Sequence, residues 1–259
     1  MDKLPARTGW LWVKQGLDVF RKQPGALMAL LFSCMFLSMI AAVLPIVGGL
    51  LPSLLAPLFS VALLQACADV DQGKRALPFL VAIGFKKPMR RPLLQLGGLY
   101  VALTVATLVV LRLMGDDIFA QLASSDQVVR LDRDMLENLR LPLLVSSLVY
   151  LIGWMLLCLA APLIYWQKMA VGKALFFSVV TVGREFKAFI TAAVMLYLLC
   201  QVLTLVPLLL LGLPSVAVAL LFGIVLMMMM LVHCTLYASY RQIFGTPPAS
   251  PEALNLNKP

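Results

Sequence analysis

The chain has 259 residues, of which 62% are hydrophobic and 13% are charged, and its formal net charge is +9. Soluble domains carry roughly 45–50% apolar residues, so this composition excludes an ordinary soluble domain and indicates an integral membrane protein. The sequence has no polar, basic segment interleaved with aromatic residues, which a nucleic-acid-binding module would show. We therefore expect no nucleic-acid partner.

Six apolar blocks follow one another along the chain, each with 19 or more residues and almost no charge. A helix needs roughly 20 apolar residues to cross a bilayer, so each block predicts a transmembrane helix. The predicted spans are about 25–47, 50–68, 93–114, 141–166, 188–211 and 216–240. The predicted fold is an all-α membrane protein with a transmembrane domain at 25–240. We expect an amphipathic N-terminal segment at 1–24, an acidic outer loop at 115–140 and a disordered tail at 241–259.

The lysine and arginine residues divide unequally between the two sides that these spans define. Seventeen of the 21 lie in the N-terminal segment, in the connections after the second and fourth spans, and in the tail. Only Arg112, Arg130, Arg133 and Arg140 lie on the other side. Cytoplasmic loops carry the excess of cations, so the pattern predicts that both termini lie in the cytoplasm.

The spans group as three hairpins, each preceded by a short cationic segment. In the first segment Trp10, Val13, Leu17 and Phe20 share a predicted apolar face. The second, "ALPFLVAIGF", is too short to cross a bilayer, and the third spaces its apolar residues from Val171 to Phe186 as a helix does. We interpret the three as cytoplasmic amphipathic helices lying in the membrane interface.

The cations of these segments are candidate contacts for anionic lipid headgroups or for a partner protein. Each lysine or arginine near an anionic leaflet contributes roughly 1 kcal/mol. A purely structural role, as scaffolding with topological charge, is the favoured alternative. The candidates are Lys14, Arg21, Lys22, Lys74, Arg75, Lys86, Lys87, Arg90, Arg91, Lys173, Arg184 and Lys187.

Three polar residues in or near the spans are candidates for an intramembrane role: His233, Arg112 and Gln201. An ionisable residue at membrane depth is a functional hypothesis by default, although a structural hydrogen bond is favoured for His233. Arg112 can extend toward Asp116 or Asp117, and glutamines such as Gln201 can join helices.

The sequence shows no constellation that would carry catalysis or hold a metal. The five cysteines fall within the predicted spans and include no CxxC pair. This pattern argues against a zinc site, and we interpret the cysteines as small apolar residues. No nucleophile–base pair, carboxylate dyad or phosphate-binding glycine loop lies in a polar setting. We expect neither an enzyme nor a cofactor.

Several motifs resemble a family of uncharacterised proteobacterial inner-membrane proteins. They are "FRKQPG" near the first span, "GFKKPMRRPLLQLG" at the third and "APLIYWQKMAVGKALFFS" after the fourth. A broader likeness is to the membrane domain attached to some glycerophosphodiester phosphodiesterases. Their catalytic barrel needs histidines and metal-binding carboxylates, whereas this chain has one histidine. The resemblance therefore implies a location in the bacterial inner membrane and a layout of six spans. The enzymatic activity of the phosphodiesterases is not carried over to this chain.

Three functional hypotheses follow. The leading one is a non-enzymatic membrane protein that organises lipid or a partner protein at the cytoplasmic leaflet. The second is a transporter or channel for a small or amphipathic solute, for which polar residues would converge on one cavity. The third is an accessory subunit of a larger complex, with a groove of small residues such as Ala41, Ala42, Gly48 and Gly49.

Overall fold

The computed structural model describes residues 3–45, 48–115, 133–211 and 214–248. Within these ranges every regular element is helical. The elements are α1 (Arg7–Lys22), α2 (Pro24–Ala42), α3 (Leu51–Asp71), a 3₁₀ helix (Pro78–Phe85), α4 (Arg90–Met114), α5 (Arg133–Leu157), α6 (Ala160–Gln167), α7 (Val171–Arg184), α8 (Phe186–Leu211) and α9 (Pro214–Phe244).

Six helical segments are long and apolar enough to cross a membrane, as the sequence predicts. They are Pro24–Ala42, Leu51–Asp71, Arg90–Met114, Glu137–Gln167, Phe186–Leu205 and Leu220–Phe244. The chain is therefore a multi-pass helical membrane protein. Consecutive spans pack on one another, α2 on α3, α4 on α5 and α8 on α9.

The fourth span is interrupted between α5 and α6. Pro162 has no backbone N–H, so it cannot donate to the carbonyl of Cys158 four residues earlier. The helix accordingly ends at Leu157 and resumes at Ala160. The break allows α6, which is almost wholly buried, to turn into the bundle and pack against α3 and α7.

Helix α3 is the centre of the fold. All but one of its residues from Pro57 to Val70 are buried, and α1, α2, α4, α6, α9 and the 3₁₀ helix all pack on it. By contrast, the outward faces of α2, α4, α5, α8 and α9 carry exposed apolar side chains. Examples are Phe36, Leu108, Leu144, Val202 and Phe222. An exposed apolar surface on several helices at once is the surface expected where lipid surrounds a protein.

The ends of several elements meet at one end of the bundle, which we call the basic end. Lys22 at the end of α1 and Arg241 near the end of α9 both contact Asp71 at the end of α3. The backbone N–H of Leu4 donates to Glu185, at the start of α8, at 2.7 Å. These contacts bring the N-terminal segment and the ends of α3 and α9 together.

The buried face of helix α1 is rotated from the predicted one, and Val13 belongs to both. Its buried residues include Trp12, Val13, Gly16 and Val19, whereas Trp10 of the predicted apolar face is 41% exposed. The buried face packs on α8 and α9, so it contacts protein and not acyl chains. Glycine permits this approach, because a Cβ at position 16 would lie 2.8 Å from the Thr235 backbone nitrogen.

The second cationic segment is a 3₁₀ helix that lies against α3. A Cβ at Gly84 would meet the Leu58 backbone at 2.8 Å, and the rings of Phe85 and Phe59 are 6.1 Å apart. Phe59 precedes Asp71 by twelve residues, or about 18 Å of helix at 1.5 Å per residue. The segment therefore runs along α3 from the basic end toward the middle of that helix.

The third segment also differs from its predicted amphipathic face. Helix α7 buries Ala174, Ser178, Thr181 and Val182, while Val179 of the predicted stripe is exposed. Small and polar residues therefore form most of the buried face of α7. The side chains of Phe176, Phe177 and Val180 are exposed.

The bounds of the predicted outer loop and of the predicted tail differ from those of the structure. Residues 133–140 of the predicted outer loop belong to α5, and residues 116–132 lie outside the described part of the chain. The predicted tail begins at 241, whereas α9 continues to Phe244. The carbonyl oxygens of Pro247 and Pro248 then accept hydrogen bonds from Gln72 and Gln65 of α3, at 3.2 and 3.4 Å. Residues 249–259 lie outside the described ranges.

Candidate functional site

Several of the twelve predicted cations contact other side chains. The Nζ of Lys22 lies 2.8 Å from Asp71 Oδ1, and the Nε of Arg184 lies 2.7 Å from Glu185 Oε1. The Nζ atoms of Lys14 and Lys173 lie over the rings of Trp10 and Phe177, 5.2 and 5.9 Å from the ring centroids. These four contacts favour a structural role for the residues that make them.

Other predicted cations are exposed and make no ion pair within the described part of the chain: Arg21, Arg75, Lys87, Arg90, Arg91 and Lys187. Lys86 is exposed and Lys74 is half-buried. We call Lys86, Lys87, Arg90 and Arg91 the 86–91 cluster. It links the 3₁₀ helix to α4, next to the exposed ring of Phe85 and before the apolar outward face of α4.

Asp71 connects three helices at the basic end. Its carboxylate accepts hydrogen bonds from Lys22 Nζ, from Arg241 Nη1 and from Tyr237 Oη, the last at 3.0 Å. Arg241 Nη2 also donates to Gln15 Oε1 of α1 at 3.2 Å. This carboxylate was not among the predicted site residues. The sequence signal was the pair of acidic residues that ends the apolar run "ACADVD".

A second buried polar group joins α3 to α6. Trp166 Nε1 donates to Gln65 Oε1 at 2.7 Å, and Gln65 Nε2 donates to Asp69 Oδ1 at 3.0 Å. Gln65 and Asp69 are each 1% exposed. A buried carboxylate requires polar neighbours because burial of an isolated charge is costly. The sequence-predicted spans ended at Ala68 and so did not include Asp69.

His233 lines a cavity of about 320 Å³ among α2, α3, α4, α5 and α9. Its Nδ1 lies 2.8 Å from the carbonyl oxygen of Met229 on the same helix. Its predicted place was near the end of the last span, but α9 continues eleven residues beyond it, to Phe244. The other polar residues of the lining are Ser38, Ser53, Ser60, Tyr100, Tyr150 and Trp154.

The structure does not bring Arg112 and Gln201 to this cavity. Arg112 is exposed in the last turn of α4, and its predicted partners Asp116 and Asp117 lie outside the described residues. Gln201 is exposed, and its Nε2 donates to Tyr197 Oη of the same helix at 3.0 Å. It therefore joins no second helix through that bond.

The small residues and the cysteines also have defined surroundings. Gly48 packs against the carbonyl oxygens of Ala42 and Leu44, so it belongs to a local turn. The Sγ atoms of Cys67 and Cys234, both buried, lie 3.3 Å apart across α3 and α9. No group of three or more metal-ligating side chains occurs among the described residues.

The chain is similar to a protein of Burkholderia thailandensis that is named a probable inner membrane protein. The two sequences are 29% identical over 262 aligned residues, which cover 98% of this chain and 97% of that protein. No protein-family model and no solved structure matches the chain. The similarity extends over nearly the full length of both proteins. These comparisons show no link to glycerophosphodiester phosphodiesterases.

Proposed function

We propose that this protein is a non-enzymatic membrane protein that binds anionic lipid headgroups through the 86–91 cluster, and that it thereby organises lipid or a partner protein at the cytoplasmic leaflet. The observation that supports the proposal most directly is the 86–91 cluster. Four exposed cations follow the 3₁₀ helix at the point where the lipid-facing surface of α4 begins. Cations beside apolar surface suit a ligand with an anionic head and acyl chains.

The proposal includes an orientation with the basic end in the cytoplasm. Seventeen of the 21 lysine and arginine residues lie on that side of the predicted spans, and cytoplasmic loops carry the excess of cations. Both termini are then cytoplasmic. In this orientation the N-terminal end of α4, which carries Arg90 and Arg91 of the cluster, faces the cytoplasmic leaflet.

Native mass spectrometry in mild detergent tests the proposal. The variant with all four cluster residues replaced by glutamine is expected to retain much less phosphatidylglycerol and cardiolipin than the unmodified protein. Since each cation contributes roughly 1 kcal/mol near an anionic surface, the affinity should fall by at least tenfold. Equal retention of these lipids by the two proteins would refute the proposal.

A matched control separates a local site from general charge. Arg90→Gln/Arg91→Gln removes two cluster charges, and Arg112→Gln/Arg140→Gln removes two exposed charges from the opposite end. Only the first pair should lower retention of anionic lipid. An equal loss in both variants would mean that net charge, and not the cluster, holds the lipid.

Passage of a small or amphipathic solute through the bundle is the second candidate function. The cavity beside His233 favours it, because six further polar side chains converge there between five helices. Flux of labelled solutes into vesicles containing the protein tests this alternative. Uptake equal to that of protein-free vesicles would contradict it.

A further inference from the structure

We infer that the cavity beside His233 is a binding site for a neutral lipid whose polar group is a hydroxyl. The inference is independent of the proposed anionic-lipid function, because the cavity and the 86–91 cluster share no residue. Among the described residues that line the cavity, none is lysine, arginine, aspartate or glutamate. An anionic or cationic head group would have no counter-charge there, so the site suits an uncharged ligand.

The hydrogen-bonding groups of the lining specify a ligand that carries a donor. The carbonyl oxygen of Met229 can only accept, so the Nδ1 of His233 carries the proton of their 2.8 Å contact. In the neutral ring Nε2 is then an acceptor, and it has no hydrogen-bond partner in the described part of the chain. A ligand O–H would satisfy this nitrogen.

Two further hydroxyls point to the same polar ligand. Tyr100 is only 6% exposed and lines the cavity, yet its hydroxyl has no hydrogen-bond partner among the residues described. Ser60 also lines the cavity and has none within the same ranges. The three residues line one cavity, so a ligand hydroxyl, which both donates and accepts, can hydrogen-bond to their polar atoms.

An apolar cavity of about 110 Å³ adjoins the polar one and suits the apolar part of the ligand. The two cavities share Trp154, and neighbouring residues of α9, Val232 and His233, line one each. The smaller cavity is lined mainly by apolar side chains of α5, α8 and α9, such as Leu151 and Leu196. A polar compartment beside an apolar one matches a molecule with a hydroxyl head and a hydrocarbon body.

The polar cavity reaches the lipid-facing surface between α5 and α9. Within the described ranges α5 packs on α4 and α7 and makes no extended contact with α8 or α9. Two residues of the polar lining, Tyr150 and Met229, are 39% and 45% exposed and lie on the two sides of this gap. A membrane lipid therefore has a lateral route to the site.

Photolabelling in reconstituted vesicles tests the inference with two pairs of probes. One pair is a photoactivatable diacylglycerol and its methyl ether, and the other is a photoactivatable long-chain alcohol and its methyl ether. At least one hydroxyl probe should label peptides of α5 and α9 that contain Trp154 or His233 several-fold more than its ether does. The probe with the larger ratio identifies whether a two-chain or a one-chain lipid is bound.

Two variants connect the labelling to the polar groups. His233→Phe and Ser60→Ala should each reduce the preference for the hydroxyl probe, while labelling by the ether stays unchanged. The Ser60 variant is the smaller change and provides the test if the His233 variant does not fold. Equal labelling by the hydroxyl probes and their ethers, in the unmodified protein, would overturn the inference and assign the cavity to water.

Discussion

Replacement of Gln65 by leucine should destabilise the protein strongly, because it removes the amide that joins α3 to α6. Trp166 Nε1 loses an acceptor at 2.7 Å, and Asp69 Oδ1 loses a donor at 3.0 Å. Gln65 and Asp69 are each 1% exposed and Trp166 is 9% exposed, so bulk water cannot replace the lost partner. A buried polar group deprived of its partner costs about 1–3 kcal/mol. The two losses together predict about 2–6 kcal/mol.

Unfolding by denaturant in detergent micelles, followed by tryptophan fluorescence, measures this change. The matched control is Gln95→Leu, which alters the same side-chain type at an exposed position on α4. The control should change the free energy of unfolding by no more than about 0.5 kcal/mol. If the Gln65 and Gln95 variants unfold at the same denaturant concentration, the buried hydrogen bonds do not contribute as reasoned here.

Three more predictions concern contacts at or near the basic end. Asp71→Ala should lower the free energy of unfolding by about 2–4 kcal/mol, because a buried phenol and two cations lose their acceptor; an unchanged denaturation curve would contradict this. Gly16→Ala should destabilise the protein by about 1–3 kcal/mol through overpacking. Gly172→Ala should stabilise the protein slightly, because a Cβ at that position meets nothing within 4 Å. A stability change of the same sign in both variants would be inconsistent with the packing of α1. Cys67→Leu should lower the free energy of unfolding by about 1–3 kcal/mol through overpacking, because the buried Sγ atoms of Cys67 and Cys234 already lie 3.3 Å apart; an unchanged denaturation curve would contradict the packing of α3 on α9.

The six spans could be predicted from the sequence because lipid imposes a simple rule. A helix must be apolar over roughly 20 residues to cross the membrane, and segments that meet this requirement can be recognised from their composition alone. Helix ends were less accurate. Asp69 and Asp71 look like the polar residues that follow a span, but α3 continues to Asp71. Side chains of α1 and α9 bind the Asp71 carboxylate, and Gln65 of α3 donates a hydrogen bond to Asp69.

The cationic segments show why periodicity alone could not fix their surroundings. An apolar stripe has the same spacing whether it meets acyl chains or another helix. In α1 the decisive residues were Gly9 and Gly16, which permit close approach to α8 and α9 and select the buried face. In the 3₁₀ helix Gly84 has the corresponding role against Leu58. Glycine contributes little to hydrophobic periodicity, so the pattern favoured a neighbouring face.

The polar cavity could not be predicted because its members come from five helices and are mostly common residues. Only His233 was singled out from the sequence, as the one histidine of the chain. Tyr100, Tyr150 and the serines gained significance only when the packing of α2 to α5 brought them to the same space. Side chains that are far apart in sequence come to line one cavity only through tertiary contacts.

The most direct test of the central claim is the selectivity of the reconstituted protein for spin-labelled lipids. Electron paramagnetic resonance reports the fraction of motionally restricted phosphatidylglycerol and phosphatidylcholine at the protein surface. The unmodified protein should restrict phosphatidylglycerol several-fold more than phosphatidylcholine, and replacement of the four residues of the 86–91 cluster by glutamine should largely remove the difference. Equal restriction of the two lipids by the unmodified protein, or selectivity that survives the four substitutions, would contradict the assignment of the cluster as the anionic-lipid site.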